Sequence, residues 1–129
     1  MISILIPCYN YNALPLAARL EKEALNLGII YEIICIDDAS FSSKNTNNQK
    51  INFLTNSKFY ESQKNVGRVM NRQLLAKKAQ YNWLLFIDVD TNPKLDNFLS
   101  TYLKKINSKD KVYFGGFSYI SNKEGVMIN

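Results

Sequence analysis

Three apolar runs stand out along the chain, and each one ends on polar residues. Ile2 to Pro7 is continuous and is closed by Pro7. Ile29 to Ile36 is rich in β-branched residues, is broken only by Tyr31 and Glu32, and stops at Asp37 and Asp38. Trp83 to Ile87 stops at Asp88. Short runs without polar alternation predict strands covered on both faces. Between them the period changes. Leu14 to Leu27 has helical spacing, with Asn10 to Asn12 offering capping side chains and Gly28 a stop. Val66, Met70 and Leu74 lie four residues apart and predict a helix to about Ala79, after the break Asn65-Val66-Gly67. Pro93 suits the first turn of a further helix through Leu95, Phe98, Leu99, Tyr102, Leu103 and Ile106.

The remaining segments are weaker in pattern. Ala39 to Gln49 is rich in Ser, Asn and Lys and reads as a loop or a polar helix reaching about Leu54. Lys58 to Gln63 reads as a short strand, and Val112 to Tyr119, with Gly115 and Gly116, as a last one. Strands alternating with helices predict a three-layer α/β/α fold with a mostly parallel sheet. The chain has 129 residues, enough for one domain with a real core, so residues 1–129 are expected to form a single domain.

In a parallel sheet the polar ends of the apolar runs fall along one edge, where open α/β folds bind ligands. Three clusters meet there: Pro7-Cys8-Tyr9-Asn10, Asp37-Asp38-Ala39-Ser40 and Asp88-Val89-Asp90. Asp88 and Asp90, two apart in an extended segment, can point the same way and hold a hard divalent cation against phosphate; they can equally end a strand and cap a helix. Asp37 and Asp38 suit hydrogen bonds from a base imide or ribose hydroxyls, or simple turn chemistry. Tyr9 can stack on a base. Arg68 and Arg72 share a helix face and can reach a phosphate or a base carbonyl, or lie in solvent.

Composition narrows the chemistry. The sequence has no histidine, which excludes a Ser-His-Asp triad, a Cys-His pair and a His-ligated zinc within it. A metal here has oxygen ligands, which favours Mg2+ or Mn2+. Cys8 and Cys35 sit in apolar runs and read as buried free thiols. The net charge is +5, but Lys and Arg are spread along the chain. That predicts a solvated surface and no nucleic-acid partner, with a patch for phosphates or anionic headgroups as the second reading. No stretch is long enough to span a membrane, and the apolar start lacks the basic flank of a signal peptide. The expectation is a cytoplasmic protein, with peripheral association at the inner face of the membrane.

Taken in order, the motifs resemble those of the family 2 glycosyltransferases. Ser3 to Asn10 resembles the opening strand, and Ile34 to Ser40 the second strand with its Asp-Asp-x-Ser end. Asn65-Val66-Gly67-Arg68 with Arg72-Gln73 resembles the Asn-x-Gly helix start and the Arg-Asn pair. Trp83 to Asp90 resembles the strand carrying the D-x-D motif. The resemblance implies a GT-A-type fold and a nucleotide-sugar donor, often a UDP-sugar, used with Mn2+ or Mg2+. It places Tyr9, Asp38 and Arg68 near the base, Asp88 near the ribose and Asp90 on the metal, with Asp37 supporting the pocket. Pro7, Asn10, Asn65, Gly67 and Arg72 belong to the same nucleotide site, and Asp88 shares the metal. The family's acceptor half and catalytic base lie beyond the matched region, so the chain reads as a donor-binding portion truncated at its C-terminus. The whole enzyme is expected to be an inverting hexosyltransferase acting on a saccharide or lipid-linked hydroxyl; the rival is a nucleotide-binding module without catalysis. Three features depart from the pattern. Gln73 replaces Asn, Met70-Asn71 replaces small residues before the Arg, and Ser40 to Asn65 has no counterpart.

Overall fold

The computed structural model describes residues 1–93, 96–104, 117–119 and 126–128. It divides into two compact units, Met1–Leu99 and Ser100–Asn129. In the first unit the order is β1 (Ile2–Cys8), α1 (Leu14–Leu27), β2 (Tyr31–Asp37), α2 (Asn45–Asn48), a 3-10 turn (Gln49–Phe53), β3 (Ser57–Glu61), α3 (Arg68–Lys78) and β4 (Trp83–Phe86). The helix α4 (Phe98–Leu103) follows. The four strands form one sheet in the order β3-β2-β1-β4, with every pairing parallel. The expected α/β architecture is therefore present, and the central strands are buried on both faces. Leu5, Ile34 and Ile36 pack with Leu75 of α3, joined by Leu74 and Phe86. The alternate positions Ile4, Ile6, Ile33 and Cys35 are fully buried toward the opposite face.

Several boundaries moved, each for a physical reason. The helix α1 starts where the spacing predicts, but no Asn side chain from positions 10–12 caps it. Asn48 supplies the contact from a distance, its Oδ1 accepting from the Ala13 N–H at 2.8 Å. Gly28 ends the helix in the left-handed region at φ 64°, a conformation that costs glycine little. The polar segment after Ala39 becomes α2 and the 3-10 turn, held by Asn48 Nδ2 donating to the Tyr11 carbonyl and to Asn45 Oδ1. The third helix begins at Arg68 rather than Val66, because the Val66 and Gly67 N–H groups are occupied by the Asp38 carboxylate. The fourth helix begins at Phe98 rather than Pro93, with the Leu99 N–H donating to Glu23 on α1. Leu95 and Ile106 of the expected helix lie outside the described residues.

Only the end of the last expected strand, Val112 to Tyr119, falls among the described residues, and that end is a strand. Residues 112–116 lie outside the described residues, and β5 (Phe117–Tyr119) does not join the parallel sheet. It pairs antiparallel with β6 (Val126–Ile128), a strand the sequence pattern did not suggest.

The strand β4 ends one residue early, at Phe86, and the cause lies across the sheet. The Ile87 N–H donates to the Leu5 carbonyl at 3.0 Å, and Leu5 is paired with Phe86. In a parallel ladder the next bond would run from the N–H of residue 7 to the Ile87 carbonyl. Residue 7 is proline and has no N–H. On the other side β1 continues beside β2, Pro7 opposite Ile36 and Cys8 opposite Asp37. There the Asp38 N–H donates to the Cys8 carbonyl at 3.0 Å. Thus β1 stays paired with β2 while its ladder to β4 stops. Substituting Pro7→Ala restores the donor, and we expect the residue 7 amide to become protected in hydrogen exchange. The melting free energy should stay within about 1 kcal/mol of the original, since losing proline also loosens the unfolded chain; an unprotected amide at residue 7 would refute the account.

Candidate functional site

The chain steps outward from β1 to β2 to β3, then returns to place β4 on the other flank of β1. The order thus reverses between β1 and β4, where open α/β sheets hold ligands beyond their carboxyl ends. A crevice of about 510 Å³ lies at that point, lined by Pro7, Cys8, Tyr9, Tyr11, Asp38, Asn65, Gly67, Arg68, Asn71, Asp88, Val89 and Asp90. A second depression of about 480 Å³ lies by the start of β2 and β3. Its one acid, Glu32, is already bonded to Ser3 and Gln80. The chemistry therefore belongs to the first.

The two acids at the end of β2 are tied into the backbone. Asp37 is fully buried. Its Oδ1 accepts from the Asn10 N–H at 3.2 Å and from Ser40 Oγ at 2.7 Å, and its Oδ2 accepts from the Ser40 N–H at 2.9 Å. It clamps the loop after β1 to the loop after β2, and both loops contain non-glycine residues at positive φ, Asn10 at 52° and Ala39 at 55°. Such conformations are costly and persist where the surroundings fix them. Asp38, 5% exposed, accepts from the Val66 and Gly67 N–H groups, both at 2.9 Å, and Asn65 Nδ2 donates to its carbonyl at 2.8 Å. Gly67 sits at φ 89°, a conformation that favours glycine. Asp38 thus fixes the entrance to α3, and its carboxylate faces the helix start as well as the crevice.

The second half of the site is charged and open. Arg72 donates to Asp88 Oδ1 at 2.8 Å, and its guanidinium lies over the Phe86 ring, 5.4 Å from the centroid. Arg68 lies 3.8 Å from Asp88 Oδ2 with its side chain 77% exposed. Of the two arginines expected to reach a ligand, Arg68 is exposed, lines the crevice and makes the longer of the two pairs with Asp88, whereas Arg72 hydrogen-bonds Asp88 directly. Asp90 lines the crevice and makes no side-chain hydrogen bond or ion pair among the described residues. Among those residues no group of three or more His, Cys, Asp and Glu side chains is gathered for a metal. A hard cation held here would take Asp90, with Asp88 beside it, as protein ligands, and phosphate oxygens and water for the rest of its shell.

Tyr9 stands exposed at the rim, and Tyr11, Cys8 and Asn71 also line the crevice, although the sequence reading assigned them no role. Cys8 and Cys35 are free and buried, as expected. A hydrogen bond from Cys35 pulls the Cys8 thiol below its ordinary range, while burial and that same bond push Cys35 well up. The Asn10 to Asn12 stretch is held mostly by residues remote in sequence, Asp37, Lys44, Asn47 and Asn48, with the Cys8 thiol donating to the Tyr11 carbonyl.

A family model described as Glycosyl transferase family 2 matches residues 3–128. Curated relatives include two uncharacterized glycosyltransferases, from Rickettsia conorii, 26% identical over 130 residues, and Rickettsia felis, 24% identical. Each match covers 95% of this chain but 20% of the relative, so the chain spans about a fifth of their length. Among solved structures, S. aureus TarS 1-349 superposes with a TM-score of 0.62 at 21% identity, covering 82% of this chain and 32% of that one. The same protein in complex with UDP-GlcNAc superposes at 0.65 and 23% identity, covering 82% and 31%. These likenesses establish the GT-A fold.

The clamp by Asp37 yields a test of the geometry. Asp37→Ala orphans donors in two loops and should cost roughly 3 kcal/mol in denaturant unfolding. Asp37→Asn keeps one carbonyl acceptor and should lose less; an Ala variant as stable as the original would mean the loops are held by other contacts.

Proposed function

The chain belongs to glycosyl transferase family 2, and on that premise we propose that its crevice binds the nucleoside diphosphate of a sugar donor, most simply a UDP-sugar. The observation that carries the reading is the meeting of Tyr9, Asp38, Arg68, Asp88 and Asp90 at the switch point of a parallel sheet. Tyr9 offers an aromatic face for the base, and the Asp38 end of β2 offers acceptors. Arg68 offers an exposed cation for the diphosphate. Residues 1–129 act as the donor-binding portion, and the acceptor is a saccharide or lipid-linked hydroxyl. No helix among the described residues is long and apolar enough to cross a membrane. A lipid-linked acceptor would bring the protein to the inner face of the membrane.

Charge argues for a divalent ion. A diphosphate placed beside Asp90 meets an uncompensated carboxylate, and Arg72 is already spent on Asp88. Asp90, with Asp88, would hold Mn2+ or Mg2+, which supplies positive charge against the departing diphosphate. In the transfer, an acceptor hydroxyl oxygen bonds to the anomeric carbon as the bond to the diphosphate oxygen breaks. The hydroxyl proton passes to a base. Asp37 and Asp38 are poor candidates for that base or for a covalent nucleophile, since backbone donors hold them. With Asp88 and Asp90 assigned to the cation, this favours single displacement with inversion and a base from outside the described crevice.

The same saturation favours a second reading, binding without transfer by this chain. Release of free sugar or glycosylated product from UDP-sugars by the isolated chain would refute it. The donor site itself is tested by calorimetric titration of UDP. Binding should require Mn2+ or Mg2+, and Asp90→Ala should weaken it at least about tenfold, the scale of one lost charged contact; equal affinity in the variant would remove Asp90 from the metal.

A further inference from the structure

Tyr9 is 59% exposed at the rim of the crevice, and its side chain makes no hydrogen bond or ring contact among the described residues. The position of its ring therefore depends on the backbone that carries it. Asp37 takes the Asn10 N–H. The other contacts from remote residues come from one short segment. Lys44 Nζ donates to the Asn10 carbonyl at 3.2 Å, Asn47 Nδ2 to Asn12 Oδ1 at 2.8 Å, and Asn48 Nδ2 to the Tyr11 carbonyl at 2.8 Å. The first two bonds are exposed, where water competes for the same groups. Asn48 is fully buried, and its amide is used at both ends. Oδ1 accepts from the Ala13 N–H at 2.8 Å, and Nδ2 also donates to Asn45 Oδ1 at 3.0 Å. The two ends serve different parts of the chain. The acceptor meets the start of α1, a task that a carboxylate also performs. The donor has no part in that helix start; it ties down the loop two residues beyond Tyr9.

We propose that Asn48 is a positioning residue for nucleotide binding, an inference that rests on the donor-site reading. Through the Tyr11 carbonyl it holds the loop so that the Tyr9 ring stands ready to stack on the base. A ring set in place before the ligand arrives leaves less to be ordered on binding, and the nucleotide binds more tightly for it. Asn48 itself touches no ligand.

The substitution Asn48→Asp separates the two ends of the amide. It keeps an acceptor for the Ala13 N–H and sets a second acceptor, with no donor, against the Tyr11 carbonyl. The Asn45 amide can turn to meet it, because its Nδ2 has no partner among the described residues, so the loss falls on the loop. Calorimetric titration of UDP with Mg2+ into the original chain, Asn48→Asp, Tyr9→Ala and the double variant tests the proposal. Tyr9→Ala should weaken UDP about tenfold or more, the scale of one lost base stack. Asn48→Asp should weaken it about tenfold with the number of sites unchanged. In the double variant the affinity should match Tyr9→Ala alone, since Asn48 acts through that ring. A loss of the same factor with and without Tyr9, no loss in either background, or fewer sites at an unchanged Kd overturns the positioning role and leaves the donor site standing. If the buried charge prevents folding, the neutral Asn48→Ser, too short to reach both contacts, takes its place in the same cycle. A folded original chain that binds no UDP overturns the donor-site reading, and this inference with it.

Discussion

One backbone donor is missing from the middle of the sheet, the N–H of Pro7, and the placement of the whole site depends on it. The β1–β4 ladder runs from Ile2 to Leu5 and loses its next bond there, while the β1–β2 ladder continues through Cys8. The strand β1 therefore parts from the edge strand β4 while it stays paired with β2. The β4 flank is where the strand order reverses, so the parting strands open a crevice at the point where a sheet of this kind can admit a ligand. Proline within a sheet is tolerated where its nitrogen faces away from a paired neighbour. Here the nitrogen lies on the β4 side of β1, and the Ile87 carbonyl receives no donor from residue 7.

Around that opening the chain uses its carboxylates in two ways. Asp37 and Asp38 are consumed by backbone donors and give the loops their shape, holding Asn10 and Ala39 in conformations they would not otherwise keep. Asp88 and Asp90 remain on the open side. Arg72 balances Asp88 and is itself steadied against Phe86, whereas Asp90 has no cation among the described residues. The rigid pair sets the geometry, and the exposed pair carries the charge imbalance that a cation and a diphosphate together can relieve. A clamp that also lines the cavity means that shape and recognition are not separable at Asp38: its removal would disturb the start of α3 along with any contact to the ligand.

The local periodicities made most of the fold legible. Runs such as Ile2 to Pro7 and Ile29 to Ile36 are apolar without alternation, and burial on both faces is what they became. Convergence of Asp37, Asp38, Asp88 and Asp90 followed from parallel strands alone. The partners of these acids were not legible, because they come from positions far apart in sequence: Asp38 meets Val66 and Gly67, and Arg72 meets Asp88. The same holds for Asn48, whose polar surroundings read as an ordinary loop although it is fully buried and fixes the start of α1. The early end of β4 was in principle readable from Pro7, but only once the register to Leu5 was known. The antiparallel pair of β5 and β6 was missed because Val126 to Ile128 is too short a run to show a period.

The central claim is that a nucleoside diphosphate binds at the carboxyl edge, between β1 and β4. Amide chemical-shift mapping by nuclear magnetic resonance, with UDP and Mg2+ added to the isotope-labelled chain, addresses it directly. Shifts concentrated at Cys8, Tyr9, Asp38, Gly67, Arg68 and Asp88 to Asp90, with Glu32, Ser57 and Lys58 unmoved, are what the account predicts. Shifts confined to the opposite edge, or none in a folded chain, would contradict it.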